Sequence, residues 1–479
     1  MRNFIFTLVA AFMMVSPLTA QDLETGYFLG GNPFAFRLNP AFQSERNIVS
    51  IGLGMTGAGT WGNLGASTLL YPDGNNLYSF LNNHVAASDF LGKLHRNNYL
   101  DVDAQVNLLT VGFWSDRDFL TIDVNARTLN AVTLPYDFFR LLKGDKAVGS
   151  VFECGSTGFR SFTFAEAAFG WSRIFDNRFS VGARAKFIVG AGEMEMMLKK
   201  MQVTINEDSW TIRSHGQMVS SSPAVTFDHY ADSDLLDLGS FRLDGDNISP
   251  SGWGGALDLG VSWNVTPLLT LSGAILDLGA ICWERDSLYE TPEDAYDWAP
   301  SEMSMDVYGY TDGMEELLEM VSGFFNWREV TGMGTAFELM PIRINVGAEY
   351  RIPFYDRLSV GALYEGRFVN CFARHTGRLS LNWNPLDFLS MSTSAALNGF
   401  GESLGFALNL HPPGVNLILG CDCLPFHVVD VSPLFEDLIP RQARWTVIPR
   451  DRMNMNLYVG INVAFGRSRL DHTKHYLLE

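Results

Sequence analysis

The chain has 479 residues and a formal net charge of −19 at pH 7. Phosphate groups require a basic partner, so this excess of carboxylates excludes nucleic acid as a ligand. The 45 glycines and 35 phenylalanines, in a chain with only 18% charged residues, favour β-structure with aromatic side chains on its outer surface.

The first twenty residues have the pattern of a secretory signal peptide. Arg2 supplies a basic start, residues 4–15 are apolar, and Ala20 is the small residue at the expected cleavage site. Residues 1–20 are therefore predicted to direct the protein out of the cytoplasm and towards the cell outer membrane. After residue 20 the sequence has no run of 18 apolar residues, so no transmembrane helix is predicted.

Residues 21–46 do not have the pattern of a strand. They are rich in glycine, proline and phenylalanine, and Pro33 and Pro40 exclude a central strand. We predict a small plug inside a barrel, with a periplasmic lead-in segment as the alternative.

From residue 47 to residue 466, runs of about ten residues alternate between apolar and polar or small side chains. That length is close to the 9–11 residues that a tilted strand needs to cross a bilayer. Sixteen candidate strands can be counted, from Ile48–Met55 to Asn454–Phe465. They include Lys199–Ile205 and Trp210–Ser220, which are interpreted as neighbouring barrel strands.

Connection lengths alternate along the chain. Tight turns, such as 115–118 and 384–387, follow even-numbered candidate strands, whereas the long segments follow odd-numbered ones. This asymmetry is typical of membrane barrels. We therefore predict an all-β protein, a transmembrane antiparallel β-barrel of about 14–16 strands. It has short periplasmic turns, long extracellular loops, an N-terminal plug-like segment and a tail over 467–479.

Charged residues on the strands share the face opposite the apolar side chains. A charge facing lipid near the bilayer midplane is costly, so these side chains are predicted to line the lumen. The candidates are Asp123, Arg127, Arg184, Lys186, Asp258, Arg343, Glu349, Arg351, Glu365, Arg367 and Arg378.

The long segments differ in composition from the strands. Glu284–Glu319 contains twelve acidic residues and one basic residue, Arg285. Residues 135–142 are predicted to form a short helix, with a proline at the start and Gly144 beyond the end, and 313–325 has helical spacing. These segments are interpreted as hydrated loops with small packing helices, and a cation-binding or partner-binding loop is the alternative.

The sequence contains none of the common catalytic or metal-binding motifs. The five cysteines form neither a zinc pattern nor an even disulfide framework and are interpreted as incidental thiols. Nucleophile elbows, HExxH motifs and P-loops are absent from the sequence. No enzymatic activity, cofactor or metal site is predicted.

Two stretches resemble known families of Gram-negative outer-membrane barrels. LSGAILDLGAICW (residues 271–283) and the preceding GALDLGVSW resemble a recurring strand motif of such barrels, and RLNPAF (residues 37–42) resembles the N-terminal Asn-Pro-Ala element of long-chain fatty-acid transporter-like barrels. The closest resemblance is to an uncharacterised barrel family that is distantly similar to those transporters and to barrel components of a gliding-type secretion system. The resemblance implies a barrel with an N-terminal hatch, usually of fourteen strands.

Three functional hypotheses follow. The first is passive transport of a small or hydrophobic solute through a plugged or narrow lumen, with outer-membrane lipid around the barrel. The second is a structural or adaptor barrel that docks secretion or surface machinery, a protein partner, through its acidic loops. The third is a soluble β-rich secreted protein.

Overall fold

The computed structural model describes residues 22–470, apart from 230–234, 299–324, 331–333 and 431–446 and positions 53, 74–75, 177, 245–246, 248, 286, 293, 370–371, 400, 425–426, 451 and 453. The predicted signal peptide, most of the acidic segment 284–319, the predicted helical segment 313–324 and the tail beyond residue 470 lie outside the described residues. Within the described part of the chain, no helix has the length and apolar character needed to span a membrane.

Fourteen antiparallel strands form a closed barrel. Each strand pairs with its neighbour in sequence, and the last pairs with the first through Asn47 and Phe465. The strands are β1 (Asn47–Ile51 and Thr56–Gly62), β2 (Asn97–Ser115), β3 (Asp118–Pro135), β4 (Thr157–Phe175), β5 (Phe179–Ile205), β6 (Gly252–Asn264), β7 (Leu269–Glu284), β8 (Thr335–Leu339 and Ile342–Arg351), β9 (Leu358–Val369), β10 (Phe372–Leu386), β11 (Leu389–Asn398), β12 (Gly401–Leu410), β13 (Val415–Cys421) and β14 (Met455–Phe465).

The connections divide between the two ends of the barrel, as the sequence predicts. The tight turns after β2, β4, β6, β8, β10 and β12 lie at one end, called the turn rim. The opposite end, called the loop rim, carries the long segments 63–96, 136–156, 206–251, 285–334 and 422–454.

The strand number lies at the lower bound of the predicted range, because two of the sixteen candidates do not enter the wall. Lys199–Ile205 continues β5, which runs for 27 residues. Trp210–Ser220 pairs with residues 194–205 of β5, whereas β6 pairs with residues 179–190 of the same strand. The hairpin therefore stands above the wall. Its apolar face packs into a protein core there, so its alternation of side chains does not mark a lipid-facing strand.

The barrel wall is polar inside and apolar outside. In the second segment of β8, Arg343 and Asn345 are buried, whereas Val346 is 53% exposed and Tyr350 is 46% exposed on the outer face. β14 repeats the pattern, with Asn456 buried and Leu457 exposed. A closed barrel pairs its backbone groups without an edge, and an apolar outer face suits hydrocarbon. This is the distribution of a membrane-spanning β-barrel.

The outward-facing positions of the wall predict that a charged substitution lowers stability more in mid-strand than near a turn. Val346→Arg places a cation on the outer face in mid-strand, and it is expected to destabilise the barrel by roughly 2–4 kcal/mol. Phe354→Arg is the matched control, because Phe354 is 90% exposed in the tight turn after β8 and a charge there costs roughly 0–1 kcal/mol. Urea unfolding in detergent measures both. Equal losses of stability for the two variants would contradict the assignment.

Above the loop rim, extra strands and helices form a cap. Short strands at Val151–Glu153, Ser287–Glu290, Tyr296–Trp298 and Arg328–Glu329 join the extension of β5 and Trp210–Ser220, and separate hairpins form at Leu70–Asp73 with Asn76–Ser79, Val225–His229 with Leu236–Leu243, and Val428–Asp430 with Val447–Pro449. The helices are α1 (Ala66–Leu69), α2 (Ala87–Leu91) and α3 (Tyr136–Lys143).

Two apolar cores hold the cap together. One contains fully buried Trp327, Phe152 and Ile212, and the other is built around Phe90 and Phe139. The predicted short helix is confirmed as α3. It begins after Pro135 and ends where the N–H of Gly144 donates to the carbonyl of Arg140 (2.7 Å).

Candidate functional site: the plugged lumen

Residues 22–46, called the plug, lie inside the barrel, and nearly all of their side chains are buried. Two 3-10 turns, Glu24–Gly26 and Ala35–Arg37, fold the segment into a compact loop. Glycines on the inner face of the wall make room for it. A Cβ at Gly182 would overlap the carbonyl oxygen of Pro40, and one at Gly260 would overlap the Asn39 side chain. The wall therefore approaches the plug too closely there for any larger residue.

The RLNPAF motif fastens the plug to β5 and β6. Asn39 accepts a hydrogen bond at Oδ1 from the N–H of Ala41 (3.0 Å) and donates from Nδ2 to the carbonyl of Val261 (3.1 Å). The hydroxyl of Ser180 donates to the carbonyl of Ala41 (3.0 Å). An asparagine suits this position because its short amide can close a local turn and still reach the wall.

An ion-pair cluster, called the central cluster, occupies the middle of the lumen. Its members are the acids Asp22, Asp123, Glu166, Asp258 and Asp277 and the bases Arg37, Arg127, Arg184, Lys186 and Arg343. Asp277 is the hub. Its Oδ1 lies 2.5 Å from Nζ of Lys186 and 3.3 Å from a guanidinium nitrogen of Arg127, and its Oδ2 lies 3.2 Å from Arg343. Five acids oppose five bases, so no formal charge is left uncompensated in a place where charge is expensive.

The plug takes part in the central cluster. Asp22 lies 3.0 Å from Arg37 within the plug and 3.1 Å from Arg343 of β8. Arg37 also lies 3.8 Å from Asp123 of β3. The plug thus contributes one acid and one base, and removing it would take one partner from Arg343 and one from Asp123.

A second group of charges holds the first 3-10 turn of the plug. Arg378 lies 3.0 Å from Glu24 and 3.7 Å from Asp422. The backbone N–H groups of Glu24 and Thr25 donate to the Asp422 carboxylate at 3.1 and 2.5 Å. Charge-assisted bonds of this kind are stronger than neutral ones. The plug is therefore attached to the wall through residues 22–25 as well as through the RLNPAF motif.

Glu365 and Arg367 form ion pairs elsewhere on the inner face. Glu365 lies 3.8 Å from Arg374 of β10, and Arg367 lies 2.5 Å from Asp103 of β2. Both pairs are buried and belong to the wall alone. The first pair joins the neighbouring strands β9 and β10, whereas the second joins β9 to β2, which is distant in sequence.

All eleven positions predicted to line the lumen are buried inside the barrel. Six of them meet in the central cluster, and three form the ion pairs of Arg378, Glu365 and Arg367. Glu349 instead accepts a hydrogen bond from Ser359 (2.6 Å), and Arg351 lies two residues further towards the turn rim. A contact between these residues and a solute remains a prediction.

The hub residue was not among the predicted positions, because strict alternation assigns it to lipid. Leu271 and Ile275 face outward, so regular alternation would place Asp277 outward as well. A β-bulge sets Leu276 and Asp277 opposite Asp258, and both side chains point inward. Asp277 adopts a φ of +60°, and its N–H donates to Asp258 (2.8 Å). Bulges re-aim side chains in this way.

An apolar layer lies on the loop-rim side of the central cluster. It consists of Leu129, Phe162, Phe164, Ile188, Ile281, Trp283 and Met340. On β3, Leu129 is two residues beyond Arg127, and on β4, Phe164 is two residues beyond Glu166. The guanidinium carbon of Arg127 lies 5.4 Å from the centre of the Phe164 ring. Charged and apolar sections of the lumen therefore follow one another along the barrel axis.

The cavities found in the lumen among the described residues are small. One of about 10 Å³ lies within the apolar layer, and one of about 30 Å³ lies beside it next to Asp101 and Arg160. A third, of about 60 Å³, lies between the plug and the wall near the turn rim. Such volumes hold one or a few water molecules. None of these three cavities has room for a solute much larger than water.

Comparison with known proteins places this architecture in a family. A model described as "Family of unknown function (DUF5723)" matches residues 40–422. The chain belongs to the DUF5723 family. No protein with a curated description matches the sequence.

Several solved structures resemble this DUF5723 barrel at low sequence identity. The Ralstonia pickettii toluene transporter TbuX is 11% identical, with a TM-score of 0.44 over 93% of this chain and 98% of its own. A Pseudomonas aeruginosa FadL homologue is 11% identical, with a TM-score of 0.40 over 94% and 98%. The P. putida toluene transporter TodX is 8% identical, with a TM-score of 0.39 over 92% of both chains.

The family match includes much of the site. It begins at Pro40 within the plug and ends at Asp422, whose carboxylate binds the plug. All the wall residues of the central cluster lie inside the match, whereas Asp22 and Arg37 of the plug precede it.

Three carboxylates near the loop rim of this DUF5723 member come together. Single oxygens of Glu193, Glu195 and Glu338 lie within 4.8 Å of one another. Arg160 lies 2.6 Å from Glu338 and 3.7 Å from Glu195, and Arg285 lies 3.6 Å from Glu338. The two guanidinium groups pair with Glu195 and Glu338, and Glu193 accepts a hydrogen bond from Ser221 (3.1 Å), so we assign the trio a structural role.

The cysteines within the described residues, Cys154, Cys282, Cys421 and Cys423, are free thiols, whereas Cys371 lies outside that part of the chain. Cys154 lies in the cap. Burial raises the pKa of its thiol to about 12, and the carboxylates of Asp137 and Glu153 add to the shift. A thiol with so high a pKa is a poor nucleophile at neutral pH.

Proposed function

We propose that this protein is an outer-membrane barrel that lets a small hydrophobic solute pass through a plugged, narrow lumen. This proposal rests mainly on the apolar layer. A water-filled pore is lined by polar side chains. This lumen instead places large apolar groups such as Phe164 and Trp283 directly beyond a neutralised ion-pair cluster.

The apolar layer would favour an apolar solute on physical grounds. An apolar molecule that leaves water for an apolar surface gains roughly 25 cal/mol per Å² buried. A polar solute would lose its hydration there without compensation. The layer therefore acts as a filter whose selectivity follows from the side chains that form it.

Met340 is the residue with which to test the filter. It is buried in the apolar layer, just before Pro341 interrupts β8, so Met340→Ala should widen the passage and Met340→Trp should narrow it. Uptake of the apolar dye N-phenylnaphthylamine into proteoliposomes is expected to rise several-fold in the first variant and to fall in the second. Uptake of a sugar should stay at the level of empty liposomes.

Leu339→Ala and Leu339→Trp are the matched controls. Leu339 is the preceding residue but faces outward and is 59% exposed, so neither change should alter dye uptake. Dye uptake no faster than in protein-free liposomes, or equal effects at the two positions, would overturn the proposal.

A second candidate function, an adaptor barrel, is favoured by the cap. Its two apolar cores, with side chains such as Trp327 and Phe90 fully buried, form an ordered platform at the loop rim. A passive pore does not need so large a folded surface. A stable protein partner co-purifying from native membranes, together with no dye uptake, would favour this candidate.

A further inference from the structure

A pocket of about 750 Å³ opens in the cap, where the loop-rim ends of β2 and β3 meet α3 and the extension of β5. Its lining carries four basic residues, Arg96, Lys199, Lys200 and Arg213, and two acidic residues, Asp137 and Glu153. The volume lies within the range of small-ligand sites. The pocket is outside the lumen and plays no part in the transport proposed above.

The acidic residues of this pocket are engaged, whereas its basic side chains form no ion pair among the described residues. Asp137 pairs with Arg140 (3.4 Å) and accepts the N–H of Glu153 (3.0 Å), and Glu153 accepts a hydrogen bond from Gln202 (2.7 Å). No carboxylate in the described part of the chain forms an ion pair with any of the four basic side chains. In a protein with a net charge of −19, the pocket is a local concentration of uncompensated positive charge.

The strand register gathers the basic side chains. Arg213 lies opposite Gln202 and His215 lies opposite Lys200, so Lys200 and Arg213 are diagonal neighbours across the hairpin. Because of a bulge, no residue of the neighbouring strand lies opposite Lys199. The side chains of Lys199 and Lys200 are both exposed. Like charges this close repel one another and lower stability. An anion bound between them would reverse that cost.

We propose that this basic pocket binds phosphate groups. A phosphate monoester carries a charge of about −1.5 to −2 at pH 7, which suits several cations better than a single carboxylate does. The guanidinium groups of Arg96 and Arg213 can bind phosphate oxygens in pairs, and the lysines add point charges. The phosphate could belong to a free soluble compound or to the headgroup of a phosphorylated glycolipid in the surrounding leaflet.

Calorimetry with inorganic pyrophosphate on the detergent-solubilised full chain tests the pocket. The triple variant Lys199→Gln, Lys200→Gln, Arg213→Gln changes only exposed side chains and should keep the folded, heat-modifiable gel band. Each lost charged contact is expected to weaken binding about tenfold. Arg117→Gln is the matched control, because Arg117 is an exposed cation in the turn after β2, and this change should leave the affinity unchanged.

Nanodiscs distinguish the two sources of phosphate. If a diphosphorylated glycolipid in the nanodisc blocks pyrophosphate binding and its dephosphorylated form does not, the ligand is a lipid headgroup. If neither lipid blocks it, the ligand is a free phosphate compound, and either result supports the proposal. No heat of binding in the unmodified protein, or equal affinity in the triple variant, would overturn it.

Discussion

Asp277→Asn is expected to destabilise the barrel by roughly 3–5 kcal/mol, the cost of breaking a buried ion pair by removing one partner. The carboxylate lies within 3.3 Å of Lys186, Arg127 and Arg343. Its neutralisation leaves five bases facing four acids in a water-poor interior. Urea unfolding in detergent, followed by tryptophan fluorescence and by the gel shift on heating, measures the loss.

Two further variants make this test specific to the central cluster. Asp118→Asn removes an ion pair of similar length, 3.3 Å to Arg173, whose side chains are 26% and 40% exposed. Exposed pairs contribute roughly 0–1 kcal/mol, so a small effect is expected. Lys186→Gln added to Asp277→Asn restores the balance of charge and should recover part of the stability. Equal losses for Asp277→Asn and Asp118→Asn would contradict the role of the hub.

The wall could be predicted from sequence because lipid and lumen impose opposite demands on neighbouring residues. Val346 and Leu457 face outward while Arg343 and Asn456 face inward, as simple alternation requires. Because short turns and long loops lie at opposite ends of the barrel, their order along the chain also predicted the direction in which each strand runs. These features depend only on local pattern, which a single sequence contains.

The strand count was less predictable, because alternation does not reveal what covers the apolar face. Met201, Val203 and Ile212 alternate with polar residues as a wall strand would. Their apolar face packs against Trp327 and other side chains of the cap. The same period-two pattern serves a lipid-facing strand and a sheet that covers a protein core.

The site was only partly predictable for two physical reasons. Asp277 reaches the lumen through a bulge with a positive φ, and a lone aspartate in an apolar run does not show where the bulge lies. The partners of the plug are also distant in sequence, since Glu24 meets Arg378 and Asp422 only after the barrel has closed. The charged residues in the plug indicate that they need ion-pair partners, but the sequence does not show which wall residues these partners are.

Gly182→Val is expected to dislodge the plug and open the lumen. Any Cβ at Gly182 would overlap the carbonyl oxygen of Pro40, which is backbone and cannot turn aside as a flexible side chain can. Overpacking of this kind typically costs about 1–3 kcal/mol. Displacement of Asn39–Ala41 would also break the hydrogen bonds that this turn makes to Ser180 and Val261.

Single-channel recording in planar bilayers measures this opening, because a displaced plug should convert a nearly closed barrel into one with frequent, large conductance steps. Gly377→Val is the matched control, since Gly377 faces outward on β10 and a Cβ there meets no atom within 4 Å among the described residues. The control should conduct as the unmodified protein does. Because the plug is attached at Arg343 and Arg378 as well, adding Asp22→Asn to Gly182→Val should increase the time spent open. Unchanged conductance in the double variant, with the barrel still folded, would mean that residues 22–46 do not close the lumen.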